Sequence, residues 1–462
     1  MHLRKDIKKV FSSNIITLSI AVISGFIIPA FLSLEDYANL KTFSLYLSFV
    51  GLLHFGFVDG IFVKYGGSIE KEIDRALIKG EHRFFIIFQM IISAIVVIIS
   101  IAIQDPILLA ISFAIIPFNF LSFYNLFYQA LGEFTKYSKT IVISPIILFI
   151  LNIVLIFIIE TSNYWYFIVA NIFSYFIVFI YFEFKFYVEY KDVKSTVKMV
   201  DIKSHFKIGS IILVGNSIAL LLYSADRWMV KFALDLESFA YYSFAISMMT
   251  LINVFIKSIT SIFYPYLSRN EDNLLPNKLK NYFLIIGSFF SITYFGFAVI
   301  VTYFMPKYYP ALSIIAILFM GFPAIITIKA LYVNLYKIQK KQMLYLKTTL
   351  GILVISLFLN VLAIVLFKSN FAIAIATTLS FFIWYFYSSR HFESITIQKR
   401  EVYFISVFIT LFIINTQLIE LWLGMFSFIS SLMASVYFFY KNDFRELIFI
   451  LIKRKIKVEK EL

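Results

Sequence analysis

The chain has 462 residues, 61% of them hydrophobic and 15% charged, with a mean hydropathy of +0.88. A soluble domain has far more polar surface to cover, so the composition is that of a polytopic membrane protein. The absence of cysteine excludes disulfides, thiolate metal sites and cysteine nucleophiles; the five histidines lack ligand spacing, and the net charge of +14 is distributed as membrane topology rather than as a nucleic-acid surface.

The N-terminal "MHLRKDIKKVFSSNIITLSIAVISGFIIPAFL" joins a basic start to a long apolar run. A cleaved signal peptide has a shorter apolar core and a small-residue cleavage site, which "IPAFLSLE" does not match, so a retained first helix is expected. Fourteen apolar stretches follow in order, near 12–33, 40–63, 84–103, 107–130, 140–160, 164–184, 208–232, 239–264, 282–304, 311–335, 344–367, 371–389, 402–416 and 421–440. Roughly 20 apolar residues cross the hydrocarbon layer, so an all-α integral membrane fold with about 14 transmembrane helices is expected, the thirteenth being the shortest.

With the N-terminus inside, the basic loops fall on the cytoplasmic side. These are "KYGGSIEKEIDRALIKGEHR", 185–207, "YKIQKKQMLYLK" and the tail "KNDFRELIFILIKRKIKVEKEL". About 34 of the 41 Lys and Arg are then cytoplasmic and about three lie outside, a positive-inside bias. Both termini are expected in the cytoplasm. The outer connections, such as "QDP" and "ALDLES", are short.

An internal repeat is visible. Residues 14–40 align with 216–242 without gaps at seven identities, including Asn14/Asn216, Glu35/Glu237 and Ala38/Ala240. The offset spans six helices, an even number, so both copies have the same orientation. Two pseudo-symmetric six-helix bundles with any central site between them are therefore expected. The divisions are 1–184, a cytoplasmic linker at 185–207, a second bundle at 208–400, two additional helices at 401–440 and a basic cytoplasmic tail at 441–462.

Charged residues inside membrane segments are hypotheses about function. Asp59 lies near the inner end of the second stretch. It is either an interfacial carboxylate or a proton- or cation-linked coupling group. In the fourth stretch Asn119, Ser122 and Gln129 share a face and suit interhelical hydrogen bonding as well as ligand contact. The seventh carries Asp226, Arg227 and Lys231, the last two on one helix face. Lys257 lies in the eighth, on a stripe with Asn253, Ser261 and Tyr264, and Lys329 near the inner end of the tenth. Lys231 and Lys329 are close enough to helix ends to snorkel. If these faces converge, they form a cationic path. Pro29, Pro117, Pro145 and Pro323 can bend their helices.

In length, helix number and charge layout the chain resembles the Wzx-type polysaccharide-unit flippases of the multidrug/oligosaccharidyl-lipid/polysaccharide (MOP) exporter superfamily. The likeness is sharpest at "ADRWMVKFALDLESFAYYSFAISM", with its Asp-Arg pair and acidic outer turn, at "FIKSITSIFYPYLSR", and at "LSLEDYANLKTFSLYLSFVGLLHFGFVDGIFVKYGG". Lys64 stands where the family often has arginine, keeping the charge without the bidentate fork.

The resemblance implies a MOP flippase-like fold, and an inner-membrane transporter rather than an enzyme. Its substrate would be undecaprenyl-diphosphate-linked oligosaccharide, moved from the cytoplasmic to the outer leaflet for O-antigen, lipopolysaccharide or related glycans. Arg227, Lys231, Lys257, Lys329 and Lys64 would then be candidate substrate contacts. Trp228 would be a sugar platform, and Asp226 and Asp59 coupling or gating groups. No cofactor or metal is expected, with H+ or Na+ as candidate coupling ions. The expected partners are membrane lipid and polysaccharide assembly proteins, without nucleic acid. The rivals are a multidrug exporter of the same superfamily and a membrane polysaccharide polymerase or ligase. The latter generally needs a sizeable outer loop or a cytoplasmic catalytic domain, and no connection in this chain is large enough.

Overall fold

The computed structural model describes residues 2–69, 72–268 and 275–459, except for the side chains of 2–8, 254, 255, 257–266, 268 and 450–459. Lys257, Ser261 and Tyr264 therefore lie outside the described residues as far as their side chains are concerned. The described residues form helices and no strand. Backbone contacts divide the chain into two compact units, Met1–Leu220 and Leu221–Leu462.

The first unit begins with α1 (His2–Phe31), α2 (Leu34–Val50), α3 (Phe57–Tyr65) and α4 (Arg75–Ala102). It continues with α5 (Pro106–Ala130), α6 (Phe134–Phe157), α7 (Tyr164–Tyr190) and most of α8 (Met199–Leu222). The second holds α9 (Ala225–Ala233), α10 (Leu236–Ser268), α11 (Leu275–Phe290), α12 (Thr293–Phe304), α13 (Ala311–Met320), α14 (Phe322–Thr327) and α15 (Val333–Ile338). It ends with α16 (Gln342–Phe367), α17 (Asn370–Ser389), α18 (Lys399–Ile413) and α19 (Leu421–Glu459). Among the described residues 11 helices are long and apolar enough to cross a membrane, and two bent pairs raise the number to 13. The remaining expected stretch, 239–264, lies on α10. The protein is a multi-pass membrane protein. Its outward faces are apolar: Val354, Phe358 and Val365 on α16 are each more than half exposed, as lipid contact allows.

The second stretch, expected as one helix, is broken. Its two parts meet at 57° because Phe55 and Gly56 adopt positive φ (50° and 85°), and the His54 ring accepts the freed Gly56 amide at 3.0 Å. The break turns α3 against α8. A Cβ on Gly209 would stand 1.8 Å from the Gly56 carbonyl oxygen, and one on Gly60 would stand 2.4 Å from that of His205. Only glycine permits so close an approach.

The division of the chain falls at 220/221 rather than at 185–207, because those residues fold back on the first unit. Lys79 donates to the carbonyls of Tyr190, Lys191 and Val193 at 2.5, 3.2 and 2.7 Å, and Arg75 donates to that of Glu189 at 2.5 Å. These cations satisfy carbonyls at the negative end of α7. Thr196 N reaches the Ala76 carbonyl at 2.9 Å, and α8 begins at Met199, within what reads in sequence as linker.

In the second unit, α18 and α19 are fastened to α11. The buried Lys280 ammonium pairs with Glu401, which also accepts the Tyr385 hydroxyl, and Lys278 pairs with Glu446 at 2.5 Å. Helix α19 runs on from Leu421 to Glu459 through a non-helical Tyr440, so the basic tail begins as a continuation of the last helix.

The repeated segments start their helices alike. Ser33 Oγ accepts the Asp36 amide at 3.0 Å, and at the aligned position Asp235 accepts the Ser238 amide at 2.7 Å. Ala38 and Ala240, each five residues after its cap, are fully buried. Replacing either cap by alanine should cost about 1 kcal/mol, the usual loss for an N-cap, read as a lowered melting temperature of the purified protein.

Candidate functional site

The first unit encloses a cavity of about 830 Å³. Its wall carries hydroxyl and amide side chains from four helices, among them Ser24, Ser122, Asn125, Ser144, Asn152 and Asn216. The charged groups on it are Asp59 and, when protonated, His54. Helix α3 brings Asp59 to the wall one turn after the break. One of its carboxylate oxygens is buried without a hydrogen-bond partner, 3.9 Å from His54 Nε2. Because His54 Nδ1 accepts the Gly56 amide, the proton of the neutral ring is on Nε2, facing Asp59. Among the described residues no lysine or arginine lines this cavity.

Lys64, one turn further along α3, points into carboxylates. Its ammonium lies 2.7 Å from Glu81 and 3.5 Å from Asp201. Glu81, fully buried, also accepts Tyr65 Oη at 2.8 Å and meets His205 Nε2 at 2.8 Å. This group joins α3, α4 and α8, and gives Lys64, which the resemblance implies as a substrate contact, two carboxylate partners within the protein. Next to it His82 stacks on Phe186 at 4.0 Å and meets Glu183 at 2.9 Å.

The cations of the second unit are arranged differently. Tyr223 is their common neighbour. Its carbonyl accepts from Arg227 Nη2 at 3.4 Å, and its ring lies under the Lys329 ammonium at 4.6 Å. Lys329 projects from a π-helical turn, Ile328–Tyr332, and donates to Asn253 Oδ1 at 2.8 Å. It is held inside the unit instead of snorkelling. Such π turns widen a helix locally and recur at functional sites. Arg227 Nε is buried and has no acceptor.

The Asp226 carboxylate bonds the backbone of Arg227 and not its guanidinium. It accepts Tyr242 Oη at 2.8 Å, Thr377 Oγ1 at 3.5 Å and the Arg227 amide at 2.7 Å. Adjacent helical residues diverge by about 100°, which separates the two side chains. Trp228 stacks on Phe232 at 5.3 Å, and Lys231 lies over the Phe239 ring at 5.6 Å, so both face aromatic neighbours. Arg227 and Lys329 both contact Tyr223, one at its carbonyl and the other at its ring, and Lys64 belongs to the other unit.

Residues 77–304 match a family model described as polysaccharide biosynthesis protein. No curated protein matches the chain by sequence. Among solved structures, one titled lipid II flippase MurJ in an inward closed conformation aligns with a TM-score of 0.70 at 15% identity. The alignment covers 96% of this chain and 99% of that one. This is a MOP-type flippase fold. A MOP superfamily transporter from Pyrococcus furiosus aligns at 11% identity over 84% and 96% of the two chains with a TM-score of 0.48. A MATE structure in a straight conformation aligns at 11% over 85% and 95% with a TM-score of 0.42. The fold assignment rests on the first of these, and it agrees with the fold that the resemblance read from the sequence implies.

Sequence reasoning passed over Tyr223, Tyr242, Thr377 and His54. Tyr223 was within reach, since it stands four residues before Arg227, the spacing of neighbours on one helix face, although it lies in the turn between α8 and α9. Thr377 is 151 residues from Asp226, and no local signal points to it.

Proposed function

We propose that the protein moves an undecaprenyl-diphosphate-linked oligosaccharide from the cytoplasmic to the outer leaflet of an inner membrane, with both termini in the cytoplasm. The observation that carries this reading is the Arg227–Tyr223–Lys329 group. It contains a buried guanidinium nitrogen with no acceptor, and a second cation shares the same tyrosine. A diphosphate supplies the missing acceptors, and charge-assisted hydrogen bonds are the strong ones. Further support comes from the flippase title of the aligned structure and the biosynthetic description of the family model. The polyprenyl tail stays in lipid while the head, which cannot cross hydrocarbon unaided, follows the protein.

A second reading, export of a cationic compound, is favoured by the first unit's cavity, which presents Asp59 and, among the described residues, no lysine or arginine. In the flippase reading Asp59 is instead the group that takes up a coupling ion.

Membrane vesicles of known orientation, from cells with and without the gene, test both. An impermeant sugar-modifying reagent should find the lipid-linked glycan trapped on the cytoplasmic leaflet without the gene, and on the outer leaflet once it is restored. Asp59→Asn should retain the protein in the membrane but abolish the response of transport to an imposed H+ or Na+ gradient. Normal glycan sidedness with altered retention of cationic drugs would establish the exporter instead.

A further inference from the structure

A second basic site lies at the membrane boundary of the first unit, apart from the cavity and from Arg227. Helix α6 begins and α7 ends side by side there. Between them is a small pocket of about 60 Å³ lined by Tyr128, Thr135, Lys136, Lys139, Lys185 and Glu189, with Phe182 as part of its floor. A cavity needs roughly 10–15 Å³ to hold one water, so the pocket has room for a group of phosphate size. Three ammonium groups face a single lining carboxylate, Glu189, which is 4.0 Å from Lys136. From α1, Lys9 adds a fourth cation by donating to Thr135 Oγ1 at 2.6 Å. Lys136 lies over the Tyr128 ring at 5.2 Å, and Lys185 over that of Tyr181 at 4.6 Å, so aromatic faces hold both ammonium stems in place. The N-cap of α6, Glu133, makes no side-chain cap hydrogen bond, which leaves the positive end of a 24-residue helix beside the lysines.

The surroundings decide which phosphate fits. Beside Lys185 and Glu189 on α7, Phe184, Tyr187 and Val188 are 67%, 67% and 49% exposed. A free phosphate has no use for that apolar face, whereas acyl chains do. We infer that this pocket binds the headgroup phosphate of an anionic glycerophospholipid, with its chains lying along the exposed face of α7. In the orientation proposed above, on which this detail alone depends, the lipid belongs to the cytoplasmic leaflet. Basic pockets between membrane helices on that side suit such headgroups.

The test is native mass spectrometry of the purified full-length protein, titrated separately with phosphatidylglycerol, phosphatidylcholine, inorganic phosphate and undecaprenyl diphosphate. Phosphatidylglycerol should bind at least about tenfold more tightly than phosphatidylcholine, and K136Q/K139Q/K185Q should abolish the difference while the matching triple arginine variant keeps it. Should the triple glutamine variant fold poorly, K139Q/K185Q, which alters two exposed side chains, should still reduce the preference. Equal binding of the two phospholipids, or an unchanged preference in the folded glutamine variants, would overturn the inference. So would loss of undecaprenyl diphosphate binding with phosphatidylglycerol binding intact, which would make the pocket a substrate site. Because the readout is binding, failure of the flippase reading in the vesicle experiment would leave this result standing.

Discussion

Gly209→Ala should unfold the first unit or cost it more than about 3 kcal/mol, beyond the usual range for an overpacked site. The added Cβ would lie 1.8 Å from the Gly56 carbonyl oxygen and 2.7 Å from the Gly60 nitrogen. Both are backbone atoms, so no side chain can rotate away, and α3 must separate from α8. That movement would also pull His205 from Glu81 and Asp201 from Lys64, exposing partners of a buried carboxylate. Gly215, on the same helix, supplies the control, since a Cβ there meets nothing within 4 Å. Gly215→Ala should be neutral or stabilising by about 0.5–1 kcal/mol through lower backbone entropy in the unfolded chain. The measurement is the melting temperature and monodispersity of the purified variants by fluorescence-detected size exclusion. Equal melting temperatures for the two alanine variants would mean that α3 and α8 are not in backbone contact.

Arg227→Ala should lower glycan translocation at least about tenfold with the membrane level of the protein unchanged, since a charge-assisted contact contributes roughly 1.5–3 kcal/mol. Arg227→Lys should recover part of the rate, because the charge returns without the fork. Lys329→Ala should fall close to Arg227→Ala rather than well above it, as both cations meet at Tyr223. Tyr223→Phe should be nearly silent, keeping both the carbonyl and the ring, while Tyr223→Ala should resemble Lys329→Ala. Initial rates in oriented vesicles, normalised to protein content, check the series. Full activity in an Arg227→Ala, Lys329→Ala double variant would sink the cationic contact.

Much of this architecture is legible along the chain, because a membrane helix must satisfy its backbone internally and present apolar side chains for about 20 residues. Thirteen of the fourteen apolar stretches fall on one span or bent pair; the seventh, 208–232, is divided between α8, which ends at Leu222, and the separate helix α9, which carries Asp226, Arg227 and Lys231. The acid and alanine shared by "LSLEDYA" and "LDLESFA" mark two helix starts that are capped in the same way. Less legible is the use made of each charge. Lys64 and Lys329 read alike as cations near inner helix ends. One is spent on Glu81 and Asp201, the other is held by an amide and a ring. Asp226 precedes an arginine yet serves a tyrosine 16 residues later and a threonine far along the chain.

The sequence by itself determined the membrane class, the succession of helices and the superfamily resemblance, since these follow from hydropathy, local caps and composition. Only the tertiary structure decided that the second stretch breaks at Gly56, that residues 191–198 and most of α8 belong to the first unit, and which cations keep company with carboxylates. The physical reason is that the cost of a buried charge or an extra Cβ depends on atoms brought within a few ångströms by folding, and those partners lie scores of residues away.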